Sequence, residues 1–492
     1  MTRLNARTVQ SLTTVATPAY DRSSASVGIV HFGAGNFHRS HQAMYLDRLM
    51  SSGASLDWGI CGVGTLPHDA FMRDVMTAQD CLYTLVLRHP EGAVEPRVIG
   101  SILEYLLAPD DPGAVLARLE DPAVRIVTMT VTEGGYLKRP SDGAFDARHP
   151  DVEHDLRNPA EPRTAFAFVV EALCRRRAAG VPPFTVLSCD NLQGNGGYAR
   201  QAVTGFADLV NPELGEWIRQ EVAFPNAMVD RITPVTTDED RRVLRDEFGV
   251  VDAWPVPAEP FTQWIVEDDF PSGRPPLEQA GVQFVHDVKP YELMKLRLLN
   301  ASHQALAWFG GLLGDVHVDE AMLRPELRAY LLEYMFREAV PTLEPVSGVD
   351  LNDYINTLIE RFSNPRMRDT LLRLGTDGSN RMATFVLPAI CTNLAAGRPV
   401  ELGAAMVAAW ARYCELAAAG STPAPGMPED ESSEEMLAAA ARQREDPLAF
   451  MKIRRLFGDL ADQEPFVQAF LRWRAQLLAD DGVRRCLQAL AA

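Results

Sequence analysis

The sequence predicts an α/β fold, a mostly parallel sheet covered by helices on both faces, followed by a mainly α-helical second domain. Three observations carry that prediction. Short apolar runs with β-branched residues alternate with helical patterns through the first part of the chain. Helical periodicity dominates from Tyr291 onward. The chain has 492 residues, more than one ordinary core holds, because domains usually take about 100–200 residues.

Taken in order, Val27-Gly28-Ile29-Val30-His31-Phe32 is the first strand, and a glycine loop follows it. A helical pattern then runs through Met44, Tyr45 and Leu49, with Gly53 as its stop. Trp58 to Val63, Arg125 to Thr132 and Phe184 to Cys189 read as further buried strands. The boundary falls at 285–290, giving domains 1–288 and 289–492. Beyond it the periodicity predicts helices over Tyr291–Phe309, Leu327–Glu338, Tyr354–Phe362 and Glu401–Ala419. Ser421 to Glu435 is rich in proline, serine and acid, and reads as an exposed loop.

Composition narrows the function. A net charge of −19 argues against nucleic-acid or anionic-membrane partners, which need a basic surface. The seven cysteines are widely spaced, with no CxxC, which fits reduced cytoplasmic thiols better than disulfides or a zinc site. The N-terminal stretch has no apolar core of the signal-peptide kind, and Gly403–Gly420 contains Arg412 and Glu415, so it reads as a buried or amphipathic helix rather than a membrane span.

The first strand ends in Gly33-Ala34-Gly35-Asn36-Phe37-His38. This is close to a dinucleotide fingerprint, with His38 where the third glycine would stand. Gly33 would permit the tight turn, and Gly35 would let amides approach a pyrophosphate at a helix N-terminus. An ordinary glycine turn before a helix is the alternative. Asp69, past the second strand, could accept from an adenosine ribose and repel a 2′-phosphate, favouring NAD; a solvated loop acid is the alternative. His38 and His41 could pair on a metal, but no HExxH and no third ligand stand near, and packed histidines are the preferred reading.

Chemistry concentrates in Tyr291-Glu292-Leu293-Met294-Lys295-Leu296-Arg297-Leu298-Leu299-Asn300-Ala301-Ser302-His303. At 100° per residue, Glu292, Lys295, Asn300 and His303 share an arc of roughly 140°. Leucine or methionine occupies nearly every side, so the helix is buried and its polar residues line a cavity or carry a desolvation penalty. Burial pushes a lysine toward its neutral form, which can act as general base. Asn300 can donate to an oxygen becoming alkoxide-like, and His303 can bond a hydroxyl. The alternative is an edge lysine with a capping Asn and a packed His. Asn191, in Ser188-Cys189-Asp190-Asn191, follows a strand and could supply a second oxyanion donor or form an Asx turn. Asp230 could accept from a substrate hydroxyl, although a local pair with Arg231 is favoured on sequence alone.

These residues resemble the mannitol 2-dehydrogenase family of long-chain, zinc-independent polyol dehydrogenases, over nearly the full length. The motifs are GxGxFHRxHQ at Gly33–Gln42, TEGGY at Thr132–Tyr136, SCDN at Ser188–Asn191, FPNAMVDRITP at Phe224–Pro234, DAWPV at Asp252–Val256, and KxxxxNxxH at Lys295, Asn300 and His303. The resemblance implies a Rossmann-type NAD-binding domain, a helical catalytic domain and metal-free hydride transfer. It carries the base onto Lys295, the oxyanion donors onto Asn191 and Asn300, and proton relay onto Glu292. Substrate contacts fall on Asp230, His303 and Arg373. Cofactor contacts fall on Gly33, Ala34, Gly35, Asn36, Phe37, Asp69, Thr132 and Glu133. His68 stands where an acid often precedes Asp69. Arg381 replaces the family's substrate-touching lysine and Ala383 its proline. A planar, bidentate arginine suits carboxylates. The expected reaction is therefore mannitol or another C4–C6 polyol to a ketose such as fructose. Arabinitol or sorbitol oxidation, a fructuronate/mannonate reductase and a catalytically silent NAD sensor are the alternatives. A cytoplasmic monomer without metal is expected.

Overall fold

A computed structural model describes residues 1–53, 55–139, 143–421 and 426–492. The chain divides into two compact units, Met1–Lys289 and Pro290–Ala492.

In the first unit, five parallel strands form the main sheet in the order Ile102–Leu107, Gly59–Gly64, Val27–Phe32, Ile126–Met129, Thr185–Ser188. In chain order this is 3-2-1-4-5, the doubly wound arrangement of a Rossmann-type domain. Burial on both faces explains the continuous apolar runs. Val30, Phe32, Val63, Val127 and Met129 pack toward the helices Pro112–Glu120, Ala165–Ala179 and Asn195–Val210. Ile29, Ile60 and Ile126 face the helix Gln42–Ser51. The order reverses between Val27–Phe32 and Ile126–Met129. A ligand crevice belongs beyond the carboxyl ends of those two strands.

The unit also holds a two-stranded pair, Thr2–Arg3 with Val250–Val251, and two three-stranded sheets: Val256–Ala258 with Tyr83–Arg88 and Val94–Ile99, and Gln283–Val285 with Gln263–Glu267 and Ala227–Asp230. None of these was expected. Buried Asp252 anchors the first three-stranded sheet, accepting from Gln79 Nε2 and the Thr84 and Trp254 amides. The helix after the glycine loop is also shorter than its pattern suggests. It spans Asn36–Ser40, breaks at His41, and resumes as Gln42–Ser51.

The second unit is helical among its described residues. Its core includes Trp308, Trp410, Tyr413, Phe450 and Phe457, with neighbouring rings 4.9–6.1 Å apart. The helix Glu401–Ala418 runs through this core, and Arg412 pairs with Glu415 one turn on at 3.3 Å. No helix among the described residues is long and apolar enough to cross a membrane.

The 421–435 stretch falls partly on residues 422–425, outside the described residues. The rest is more tied down than an exposed loop. Pro428 is buried against Gly375, where a Cβ would lie 2.6 Å from its ring. Asp430 accepts from the Ser379 amide and hydroxyl at 2.7 and 2.8 Å.

Candidate functional site

The glycine turn sits at the carboxyl end of Val27–Phe32, at the point where the sheet order reverses. Its two glycines have different reasons. Gly33 has φ +86°, and a Cβ there would fall 2.3 Å from the Thr130 carbonyl oxygen. The fold itself therefore forbids a side chain. Gly35 has ordinary φ, and its Cβ would meet only the Gly33 oxygen at 3.8 Å. Nothing in the protein needs that space, which fits a dinucleotide lying against the turn. Ala34 is buried, 3.1 Å from where a Gly62 Cβ would stand. Asn36 spends its side chain on the fold, donating to Thr236 Oγ1 and accepting from Arg39 and the Trp254 indole. Phe37 stacks on His41 at 5.0 Å.

The helix after the turn has five residues, so its macrodipole is small. Its first closure is Arg39 N to Gly35 O, which leaves the amides of 36–38 without an intrahelical acceptor. Those amides and the turn, more than a long helix dipole, are what an anion would meet.

Asp69 lies beside the end of Gly59–Gly64. Its Oδ2 accepts from the Thr65 and Leu66 amides, both at 2.9 Å, and its Oδ1 is 3.8 Å from exposed His68. One oxygen thus shapes the loop. Thr132 adopts φ +63°, rare for a β-branched residue, and is exposed, as is Glu133, which pairs with Lys138 at 2.8 Å.

The strain at Thr132 has a visible cause in Asp190. This buried carboxylate accepts from the Thr132 amide at 2.8 Å, the Val131 amide at 3.2 Å and Tyr136 Oη at 2.7 Å. Burial pushes its pKa up, while those donors pull it back. Asp190 clamps the loop that follows Ile126–Met129, and its role was missed in the sequence. Asn191, next to it, is exposed. Asp230 is buried at the end of its strand opposite Gln263. The expected pairing partner Arg231 instead donates to the Glu259 and Ser40 carbonyls.

In the second unit the chemistry-bearing helix is not regular. It runs as α-helix Lys289–Lys295, π-helix Leu296–Asn300, α-helix Ala301–Ala305 and π-helix Leu306–Gly310. A regular 100° wheel therefore does not place its residues, and the 140° arc expected of a regular helix does not hold; wide turns of this kind are frequent at functional sites. The expected burial is present. Glu292, Lys295 and Asn300 are 6–8% exposed, and His303 is half-buried with its ring 5.0 Å from Phe362. Asn300 Oδ1, Ser302 Oγ and Gln304 Oε1 are buried without a hydrogen-bond partner.

Arg373 is exposed and holds Asp369 through two nitrogens. Arg381 is half-buried, and its Nη1 donates to the Arg373 and Leu374 carbonyls at 3.1 and 2.9 Å. It closes the end of the helix Leu371–Gly375 with that nitrogen. Among the described residues no cluster of three or more His, Cys, Asp or Glu could hold a metal. His38 stacks on His31, and His41 bonds the Gln263 carbonyl at 2.9 Å.

Known proteins match this architecture throughout. Residues 27–279 match the family model described as mannitol dehydrogenase Rossmann domain, and 287–477 match the mannitol dehydrogenase C-terminal domain. A mannitol 2-dehydrogenase of Phaeosphaeria nodorum is 44% identical over 486 residues, covering 98% of this chain and 84% of that one. The Pseudomonas fluorescens mannitol 2-dehydrogenase, solved as a ternary complex with NAD and D-mannitol, superposes with a TM-score of 0.87 at 44% identity, over 99% of each chain. A D-sorbitol dehydrogenase solved in substrate-free form gives 0.91 at 39% identity, over 98% of this chain and all of that one. On both domains and over nearly its whole length, this chain belongs to the mannitol dehydrogenase family.

Proposed function

We propose that this chain is an NAD-dependent polyol dehydrogenase, interconverting D-mannitol or a similar C4–C6 polyol and its ketose, with Lys295 as general base. One observation carries the reading: an amine and an amide with an unpartnered oxygen, Lys295 and Asn300, are buried on one widened helix. A buried amine within reach of a substrate hydroxyl suits a general base. The Gly33–Phe37 turn would hold NAD, which would supply the hydride acceptor. Ala34, Asn36, Thr132 and Glu133 border that turn or its neighbouring loop, and Asp69 selects NAD through the ribose.

The substrate hydroxyl proton passes to Lys295 Nζ. Asn191 and Asn300 amides donate to the developing alkoxide. Glu292, one turn before Lys295, returns the proton to solvent. Asp230, His303, Arg373 and Arg381 orient the remaining hydroxyls. Arg381 already spends Nη1 on a helix end, which leaves it less able to fork a carboxylate and weighs against a sugar acid. The identity of the relatives supports a polyol, and the D-sorbitol neighbour keeps a second hexitol in view. The free cysteines, five of them buried, support the cytoplasm. A monomer is the proposed state.

The test is Lys295→Ala. Turnover should fall by about 10²–10⁴ while NADH still binds. Near-normal turnover sinks the base assignment. A panel of mannitol, sorbitol, arabinitol and mannonate, run with NAD and NADP, tests the substrate: strong mannonate preference ends the polyol reading. NADH binding without any turnover in the panel would make the chain a sensor.

A further inference from the structure

Beneath the glycine turn lies a buried polar chain with a fixed proton order. His31 faces Thr128 and Thr130 on the adjacent parallel strand and its extension. Its Nδ1 is 2.7 Å from Thr128 Oγ1; its Nε2 is 3.0 Å from Thr130 Oγ1 and 3.3 Å from the Gly33 carbonyl oxygen. Thr130 Oγ1 is 2.8 Å from that same oxygen.

The donors can be counted. A carbonyl only accepts, so the single Thr130 hydroxyl proton goes to Gly33 O. Thr130 Oγ1 must then accept from His31, which puts a proton on Nε2. Burial pushes the His31 pKa down to about 3, so the ring is neutral and carries one N–H. Nδ1 is left as acceptor for the Thr128 hydroxyl. His38, at the position of the third fingerprint glycine, lies flat on this ring, with centroids 3.4 Å apart and planes within 15°. The stack leaves His31 only its in-plane edges, and the two threonines take them.

Resting on the proposed dinucleotide role of the turn, we infer that His31, held as the Nε2–H tautomer, is a positioning residue that acts through Thr130 on the Gly33 carbonyl to set the turn before cofactor binds. Gly33 O also accepts from the Gly35 amide at 2.7 Å. Fixing that oxygen fixes the whole planar peptide, including the Ala34 N–H on its other end. An amide held in one direction costs less ordering when an anion binds.

Two readouts test this. In ¹⁵N-labelled protein the His31 ring should show the neutral Nε2–H pattern through neutral pH; an Nδ1–H or protonated ring overturns the inference. Thr130→Val, which removes both the donor and the acceptor at nearly constant shape, should weaken NADH binding by about tenfold. Thr130→Ser should restore it. A purely structural role would lower thermal stability in Thr130→Val and leave NADH affinity alone, and that result also overturns it. If wild-type protein binds no NADH at all, the dinucleotide reading itself has failed, which is a separate outcome from either.

Discussion

The turn at Gly33–Gly35 and the helix at Lys289–Gly310 treat buried polar groups in opposite ways. At the turn itself the carbonyl, the Asn36 amide and the clamping carboxylate are paired within the protein, although just beyond it His38 Nδ1 and Nε2, Arg39 Nε and Gln42 Oε1 are buried without a partner. The Gly33 oxygen takes several donors, Asn36 uses both ends of its amide, and Asp190 takes three donors. Along the helix, Asn300 Oδ1, Ser302 Oγ and Gln304 Oε1 are buried with nothing to bond. An unpaired buried polar atom costs about 1–3 kcal/mol. A chain that presents backbone to a cofactor can finish the structure by itself. On the proposed reading, a helix that must grip several hydroxyls leaves side chains unfinished until substrate supplies the partners.

The largest test of that contrast pairs two asparagines. Asn300→Leu removes the proposed oxyanion donor and should lower turnover by about 10²–10³, yet it also removes an unsatisfied buried oxygen. Thermal stability should hold or rise. Asn36→Leu, in the satisfied region, should lower stability, because Thr236, Arg39 and the Trp254 indole lose their partner. Calorimetry with steady-state kinetics on both variants decides it. If Asn300→Leu is the less stable of the two, the contrast is wrong.

The next test separates two glycines within the turn. Gly33→Ala forces an L-residue to φ +86° against the Thr130 carbonyl. Strain of about 1–3 kcal/mol, plus the overlap, should show as a lower melting temperature. Gly35→Ala should leave melting unchanged, since its Cβ meets only one atom at 3.8 Å, and should weaken NADH binding measured by fluorescence. Equal melting losses in both would remove the argument that Gly35 is kept for a ligand.

The same contrast explains what the sequence made legible. Strands of the main sheet are buried on both faces, so their apolar runs stand out, and four of the five were read within one to three residues. The fifth, Ile102–Leu107, is only half-buried between its ends and stands out less. In one of the smaller sheets Val94–Ile99 escaped because Pro96 argues against a strand; it is tolerated there because that strand lies at the sheet edge. The π-turns leave no mark on composition, since inserting one residue per turn keeps the helix apolar all round. At the site, residues that act through local backbone, such as Gly33, were legible. His31 and Asp190 were not, because their meaning lies in partners 97 and 58 residues away.

A smaller effect tests whether burial of a paired group carries a cost of its own. Glu338 is buried, and each carboxylate oxygen accepts an amide at the start of Glu401–Ala418: Leu402 N at 2.7 Å and Gly403 N at 2.8 Å. Burial outweighs those bonds and pushes its pKa up from 4.5 to about 7. The folded state therefore keeps a proton that the unfolded chain has released over that interval. The stability from this group is complete below the unfolded value and declines as pH rises through the folded one. Between about pH 5.5 and pH 8 the loss should be about 2 kcal/mol. Melting temperature followed against pH should fall more steeply in wild type than in Glu338→Gln, which cannot ionise, whatever the absolute stability of that variant. Parallel slopes would mean that the two amides fully offset desolvation. The second unit would then hold this paired group as cheaply as the turn holds its own, and the contrast would rest on unpaired atoms such as Asn300 Oδ1.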